Sequence, residues 1–202
     1  ARLQNNGQSC IAAKRFIVVK PVADDFLSRF KAGFEAMVVG DPMDEKTDVG
    51  PLVSEKALAD IDDQVKRSLD AGARLVTGVK RVSEKGYFYA PTILTGVKKG
   101  TPAYEEEIFG PVASVITVAD ADEAVAVAND TKFGLGASLW TQDLALAKKL
   151  AAKIDAGAVF VNGMVKSDPR LPFGGLKRSG YGRELSHYGV KEFVNIKTVW
   201  IK

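Results

Sequence analysis

The 202-residue chain has one cysteine and one histidine, and each scarcity closes off a class of chemistry. A lone cysteine excludes an internal disulfide and leaves no argument for an oxidising compartment. Cys10 and His187 lie near opposite ends of the sequence with no patterned ligands around either, so no metal-ligand spacing is present. No apolar run reaches the length of about 18 residues that a membrane helix requires, and the start, Ala1-Arg2-Leu3-Gln4, does not read as a signal peptide. An excess of one charge is also lacking: 28 Lys and Arg against 25 Asp and Glu leave a net charge of +3, dispersed where nucleic-acid binding would need a concentrated basic face. The expectation is a soluble, cytoplasmic chain with no membrane and no nucleic-acid partner. Dinucleotide fingerprints are missing too, because Gly134-Leu135-Gly136 is followed by Leu139 where a third glycine is required.

What is present is an ordinary globular composition, 46% hydrophobic, patterned as alternating strands and helices. Phe16 to Val19, Arg74 to Thr77, Val112 to Val118, Gly136 to Trp140 and Ala158 to Val161 read as strands, with one or two more between Tyr87 and Leu94 around Pro91. Ala23 to Met37, Glu55 to Ala71, Asp122 to Asn129 and Asp143 to Ile154 read as helices, the second capped by Ser54 and closed by Gly72. The alternation predicts an α/β fold in three layers, a mostly parallel sheet with helices on both faces. The tail carries Phe193, Val194, Ile196, Val199, Trp200 and Ile201, a β-forming run that needs a sheet edge to pair with.

Three segments carry chemistry. Asn5-Asn6-Gly7-Gln8-Ser9-Cys10 precedes an Ile11 to Arg15 stretch that reads as the first turns of a helix, where the dipole and unpaired N–H groups favour a thiolate. A lone cysteine is often a small core residue, but three amides, a glycine and a serine before it argue against an apolar site. Glu105-Glu106-Glu107-Ile108-Phe109-Gly110-Pro111 sets carboxylates and an aromatic before a strand. Pro172-Phe173-Gly174-Gly175-Leu176-Lys177-Arg178-Ser179-Gly180 is a glycine-rich loop.

In this order and spacing the three segments resemble the C-terminal catalytic part of the NAD(P)-dependent aldehyde dehydrogenase superfamily, over essentially the whole chain. Cys10 to Phe16 and Ser167 to Phe173 look most like bacterial succinate-semialdehyde dehydrogenases. The resemblance implies that Cys10 is the nucleophile forming a thiohemiacetal and then a thioester, its own N–H helping to hold the oxyanion. It implies that Glu107 accepts hydrogen bonds from the ribose of NAD or NADP, and that Phe109 packs beside the nicotinamide. Phe173 would line the aldehyde entrance, with Ser167 and Arg170 meeting a distal carboxylate. Residues 1–189 would form the cysteine-bearing catalytic domain, incomplete at its start, and residues 190–202 a strand that builds a homodimer or homotetramer.

The family's nucleotide-binding domain, its water-activating glutamate and its oxyanion-hole asparagine all precede the cysteine and have no counterpart in this sequence. The isolated chain is therefore expected to turn over well below about 1 s⁻¹, if at all. Two other readings stand beside this one. A truncated paralogue could serve only as an assembly module, and His187 could act as the base of a Cys-His hydrolase. His187→Ala with an ester substrate separates the last from the first.

Overall fold

The computed structural model describes residues 1–79, 81–83 and 85–202, and they divide into two compact units, Ala1–Ala128 and Asn129–Lys202. A 3₁₀ turn, Gln4–Gly7, leads into β1 (Arg15–Val19) and α1 (Lys20–Glu35), followed by α2 (Glu55–Asp70), β2 (Arg74–Thr77), β3 (Thr92–Thr95), α3 (Pro102–Glu105), β4 (Val112–Val118) and α4 (Ala121–Asn129). The four strands form one sheet in the order β1-β4-β3-β2, parallel across β1, β4 and β3, with β2 antiparallel at the edge.

Strand β4 runs Val-Ala-Ser-Val-Ile-Thr-Val with only Thr117 exposed, the near-continuous apolar pattern of a central strand covered on both faces. Its alternation divides the core. Ala113 and Val115 join Val18, Ile93 and Phe34 under α1, whereas Val112, Ile116 and Val118 join Ile61, Val65, Leu94 and Tyr104 under α2 and α3. Phe26, Phe30 and Phe34 recur every four residues on α1, so their rings stack on one face and Phe16 of β1 closes the row, with neighbouring centroids 4.5 to 5.1 Å apart. The three-layer α/β arrangement expected from the alternation is thus present in this unit.

Helix α2 starts as its sequence predicts. The Ser54 hydroxyl accepts from the Ala57 N–H at 3.1 Å, and Gly72, at φ +97°, ends the turn after the helix. The Tyr87 to Leu94 region yields one strand, β3, plus an isolated bridge between Tyr89 and Arg81, because Pro91 has no N–H to offer a ladder.

The second unit holds β5 (Phe133–Gly134), β6 (Gly136–Leu139), α5 (Leu144–Ala151), β7 (Ala158–Val161), β8 (Leu176–Lys177) and α6 (Ser186–Lys191). Strands β6 and β7 pair in parallel across the α5 crossover, and β5 pairs antiparallel with β8. Asp143 caps α5 by accepting from the N–H groups of Ala145 and Leu146 at 3.0 and 2.9 Å. Residues 192–202 form no strand pairing within the described chain, and Phe193, Ile196, Trp200 and Ile201 are each at least 85% exposed. Among the described residues no helix is long and apolar enough to cross a membrane.

One expectation fails outright. No helix follows Cys10: Ile11 to Lys14 form a turn, and β1 begins at Arg15. A helix there would need the Ser9 carbonyl to bond the N–H four residues on. The Ala12 N–H takes that carbonyl instead at 3.1 Å, and the Lys14 side chain captures the carbonyls that would have propagated a helix.

Candidate active site

The turn that carries Cys10 is built by amide side chains. Asn5 and Asn6 adopt left-handed backbone angles, φ 50° and 57°, which asparagine tolerates better than most residues. Asn6 then clamps the loop ahead of α2, its Oδ1 accepting from the Gly50 N–H at 2.8 Å and its Nδ2 donating to the Pro51 carbonyl at 3.2 Å. Gln8 adds a third tie by accepting from the Val53 N–H at 2.8 Å. Arg2, only 1% exposed, donates through Nη2 to the Gly7 carbonyl beneath the turn. The thiol of Cys10 is left exposed at the top.

Lys14 connects this turn to the second segment. Its Nζ donates to the carbonyls of Ser9, Cys10 and Ala12 at 3.3, 3.2 and 3.1 Å, and it lies 3.1 Å from Glu107 Oε1. The same ammonium stands 5.6 Å from the centroid of the Phe109 ring. Burial and the nearby charge of Arg2 push the Lys14 pKa down, against the opposing pull of Glu107. Burial likewise pushes Arg2 down to about 10 despite Glu107.

Helix α2 fixes the Glu106-Glu107 segment from the other side. Arg67 makes a two-pronged pair with Glu106, Nη1 to Oε1 at 3.0 Å and Nη2 to Oε2 at 3.1 Å. Gln64 donates to Glu106 Oε2 at 2.9 Å and to the Glu107 carbonyl at 3.3 Å. The result is a groove of about 340 Å³ lined by Gln8, Gln64, Arg67, Glu106, Glu107 and Phe109. Glu107 and Phe109 are both exposed along it, a carboxylate suited to a diol and an apolar ring suited to a flat heterocycle.

Cys10, Glu107 and Phe109 therefore share one unit and one network. The remaining predicted residues lie in the second unit. Phe173 is half-buried and pairs with Glu184 through two backbone hydrogen bonds, 2.8 and 2.6 Å. Ser167 and Arg170 are exposed, and the Arg170 guanidinium is already engaged by Asp168, Nε to Oδ1 at 2.9 Å and Nη2 to Oδ2 at 2.7 Å. His187, at the start of α6, stacks on Tyr188 with centroids 4.1 Å apart.

Sequence reasoning missed Lys14, Asn6 as a clamp, and the Gln64 and Arg67 supports. The i to i+3 spacing of Gln64 and Arg67 places both on one helix face, a usable signal. Nothing in the sequence announced that Lys14 would turn back onto its own loop.

The Aldehyde dehydrogenase family model matches residues 1–199. The chain is 55% identical, over 201 residues, to a probable NADP(+) succinate-semialdehyde dehydrogenase of Synechocystis, covering 100% of this chain and 44% of that one. It is 54% identical over 200 residues to succinate-semialdehyde dehydrogenase [NADP(+)] 1 of Mycobacterium tuberculosis, covering 99% and 44%. Among solved structures, the succinic semialdehyde dehydrogenase of Streptococcus pyogenes in complex with NADP+ superposes with a TM-score of 0.96 at 46% identity, covering 99% of this chain and 44% of that one. Lactaldehyde dehydrogenase from Escherichia coli gives 0.95 at 32% identity, covering 99% and 42%. The sequence thus spans less than half the length of these relatives, and across that span the chain belongs to the aldehyde dehydrogenase family.

Proposed function

We propose that this chain is the cysteine-bearing part of an NADP+-dependent succinate-semialdehyde dehydrogenase. The observation that carries the reading is the network in which one half-buried ammonium bonds the backbone carbonyl of the exposed Cys10, pairs with the exposed Glu107 carboxylate and faces the exposed Phe109 ring. The names of the relatives at 54 to 55% identity supply the substrate and the coenzyme phosphate.

In this reading the Cys10 thiolate attacks the aldehyde carbon, a C–S bond forms, and the negative charge moves to the former carbonyl oxygen. The backbone N–H of Cys10 donates to that oxygen. NADP+, when bound, supplies hydride acceptance. Glu107, whose Oε1 pairs with Lys14, would hold the ribose hydroxyls, and the exposed Phe109 ring would offer a flat face to the nicotinamide. As the alkoxide electrons re-form the C=O, the hydrogen on that carbon leaves as the hydride to be accepted and Cys10 is left as a thioester; water then cleaves the C–S bond, releasing succinate and restoring the thiol.

Residues 1–189 act as the cysteine-bearing catalytic domain, residues 190–202 as an assembly strand for a dimer or tetramer, and Ser167, Arg170 and Phe173 as the aldehyde side of the site. The general base and most of the coenzyme site come from the part of the relatives outside this span. The test is NADPH formation from succinic semialdehyde by the full-length protein, before and after Cys10→Ala. The reading requires a loss of at least about 10³-fold. Undiminished turnover in the variant refutes it, as does NADPH formation by the isolated chain at about 1 s⁻¹ or faster, which would contradict the missing general base.

A further inference from the structure

We infer that Lys14 is a positioning residue for Cys10: its ammonium gathers three carbonyls of the turn, thereby aims the Cys10 N–H outward, and links that turn to Glu107. The inference rests on the reading of Cys10 as nucleophile.

The geometry follows from the planarity of the peptide unit. All peptide bonds in the described chain are trans, so in each unit the C=O and the N–H point in opposite directions. The Ser9 carbonyl belongs to the same unit as the Cys10 N–H, and the Cys10 carbonyl to the same unit as the Ile11 N–H. With both carbonyls turned onto Lys14 Nζ, at 3.3 and 3.2 Å, both N–H groups face away from it. A helix N-terminus would have provided outward N–H groups by its own geometry. Here the Lys14 side chain does so from below, together with the Ala12 N–H on the Ser9 carbonyl, and the turn presents a donor without a helix behind it.

The charges around Lys14 support the same assignment. Arg2 and Glu107 face it, together with Cys10 itself, so two fixed cations stand against one carboxylate under the turn. The excess positive charge favours the alkoxide that develops where the Cys10 N–H points. Because Glu107 Oε1 is the fourth partner of the same ammonium, a ligand that draws on Glu107 also acts on the turn carrying the nucleophile.

The experiment uses the 202-residue chain and needs neither substrate nor coenzyme. Alkylation of Cys10 by iodoacetamide is followed by mass spectrometry from about pH 6 to 10, a range that spans ordinary thiol ionisation. Lys14→Met should slow the reaction at least about fivefold near neutral pH, and Lys14→Arg, which keeps the charge, should restore at least half of the rate. A Lys14→Met rate within twofold of the unchanged chain at every pH overturns the inference. Equal losses in the Met and Arg variants overturn it too, since a merely structural role would not distinguish charge.

A second measurement needs no Lys14 variant. In the unchanged chain, the carbonyl ¹³C resonances of Ser9, Cys10 and Ala12 should titrate together with the Lys14 side chain, and Glu107→Gln should move that shared midpoint down. Carbonyls that ignore the Lys14 titration defeat the proposal. Loss of the dehydrogenase reading would leave both measurements unaffected, so the two failures are distinguishable.

Discussion

Gly7 meets the backbone carbonyl of Gly110 with no room for a side chain between them. The contact joins the cysteine turn directly to the Glu107-Ile108-Phe109-Gly110-Pro111 segment, and it is available only to glycine, since Gly7 also sits at φ +77°. Two short motifs about a hundred positions apart in sequence are thereby held as one wall of the site.

Gly7→Ala is expected to destabilise the chain by roughly 2 to 4 kcal/mol, combining a strained backbone with overlap against another backbone that cannot swing aside. Urea unfolding followed by circular dichroism measures it. A loss under about 1 kcal/mol would show that the Gly110 carbonyl yields easily.

Arg67→Met removes both prongs of the pair with Glu106 and leaves the Gln64 bonds to Glu106 and to the Glu107 carbonyl in place. Hydrogen exchange at residues 106–109 should accelerate, though by no more than about fivefold, because the pair is solvent-exposed. Unchanged exchange would mean that Gln64 and the buried Ile108 side chain suffice.

Asp168 shows its environment through titration. The Arg170 side chain and backbone N–H both bond its carboxylate and hold its pKa well below the usual carboxylate range. For a depressed carboxylate the contribution to stability is complete above the unfolded value, about 4, and is lost as pH falls through the lower folded value. The Asp168 carboxyl resonance should therefore stay flat from neutral pH down to about 4, and Arg170→Ala should bring its midpoint back toward that figure. A midpoint near 4 in the unchanged chain would show that the pair does not persist in solution.

Under the assembly role proposed for residues 190–202, removal of residues 191–202 should abolish self-association, since it takes away the exposed Phe193, Ile196, Val199, Trp200 and Ile201 side chains that would pair with a partner's sheet edge. Light scattering coupled to size exclusion gives the mass directly. An unchanged assembly mass after truncation would assign the interface elsewhere.

Much of this fold is legible in its sequence where one residue type has one physical use. Ser54 before an amphipathic run caps α2, Gly72 ends the turn after it, and the apolar run Val112 to Val118 becomes the doubly covered strand β4. Pro91 limits β3 for a reason visible in the sequence, although the isolated bridge at Tyr89 is not. The candidate nucleophile and its two companions are legible as motifs, yet their shared support is not. Lys14 reads as a solvated helix residue until the chain closes upon it.

Local sequence, by itself, determined the order of the longer strands and helices, the residues that cap and end α2, and the choice of Cys10, Glu107 and Phe109 as candidates. Periodicity and capping act over a few residues, so they survive in one dimension. Tertiary structure alone decided that Cys10 sits on a turn instead of a helix, that Lys14 organises that turn, and that α2 braces Glu106. Lys14 reaches the carbonyls of its own turn, but its pairing with Glu107 and the bracing of Glu106 by Arg67 join groups far apart in sequence, and those bonds exist only after the fold has brought them together.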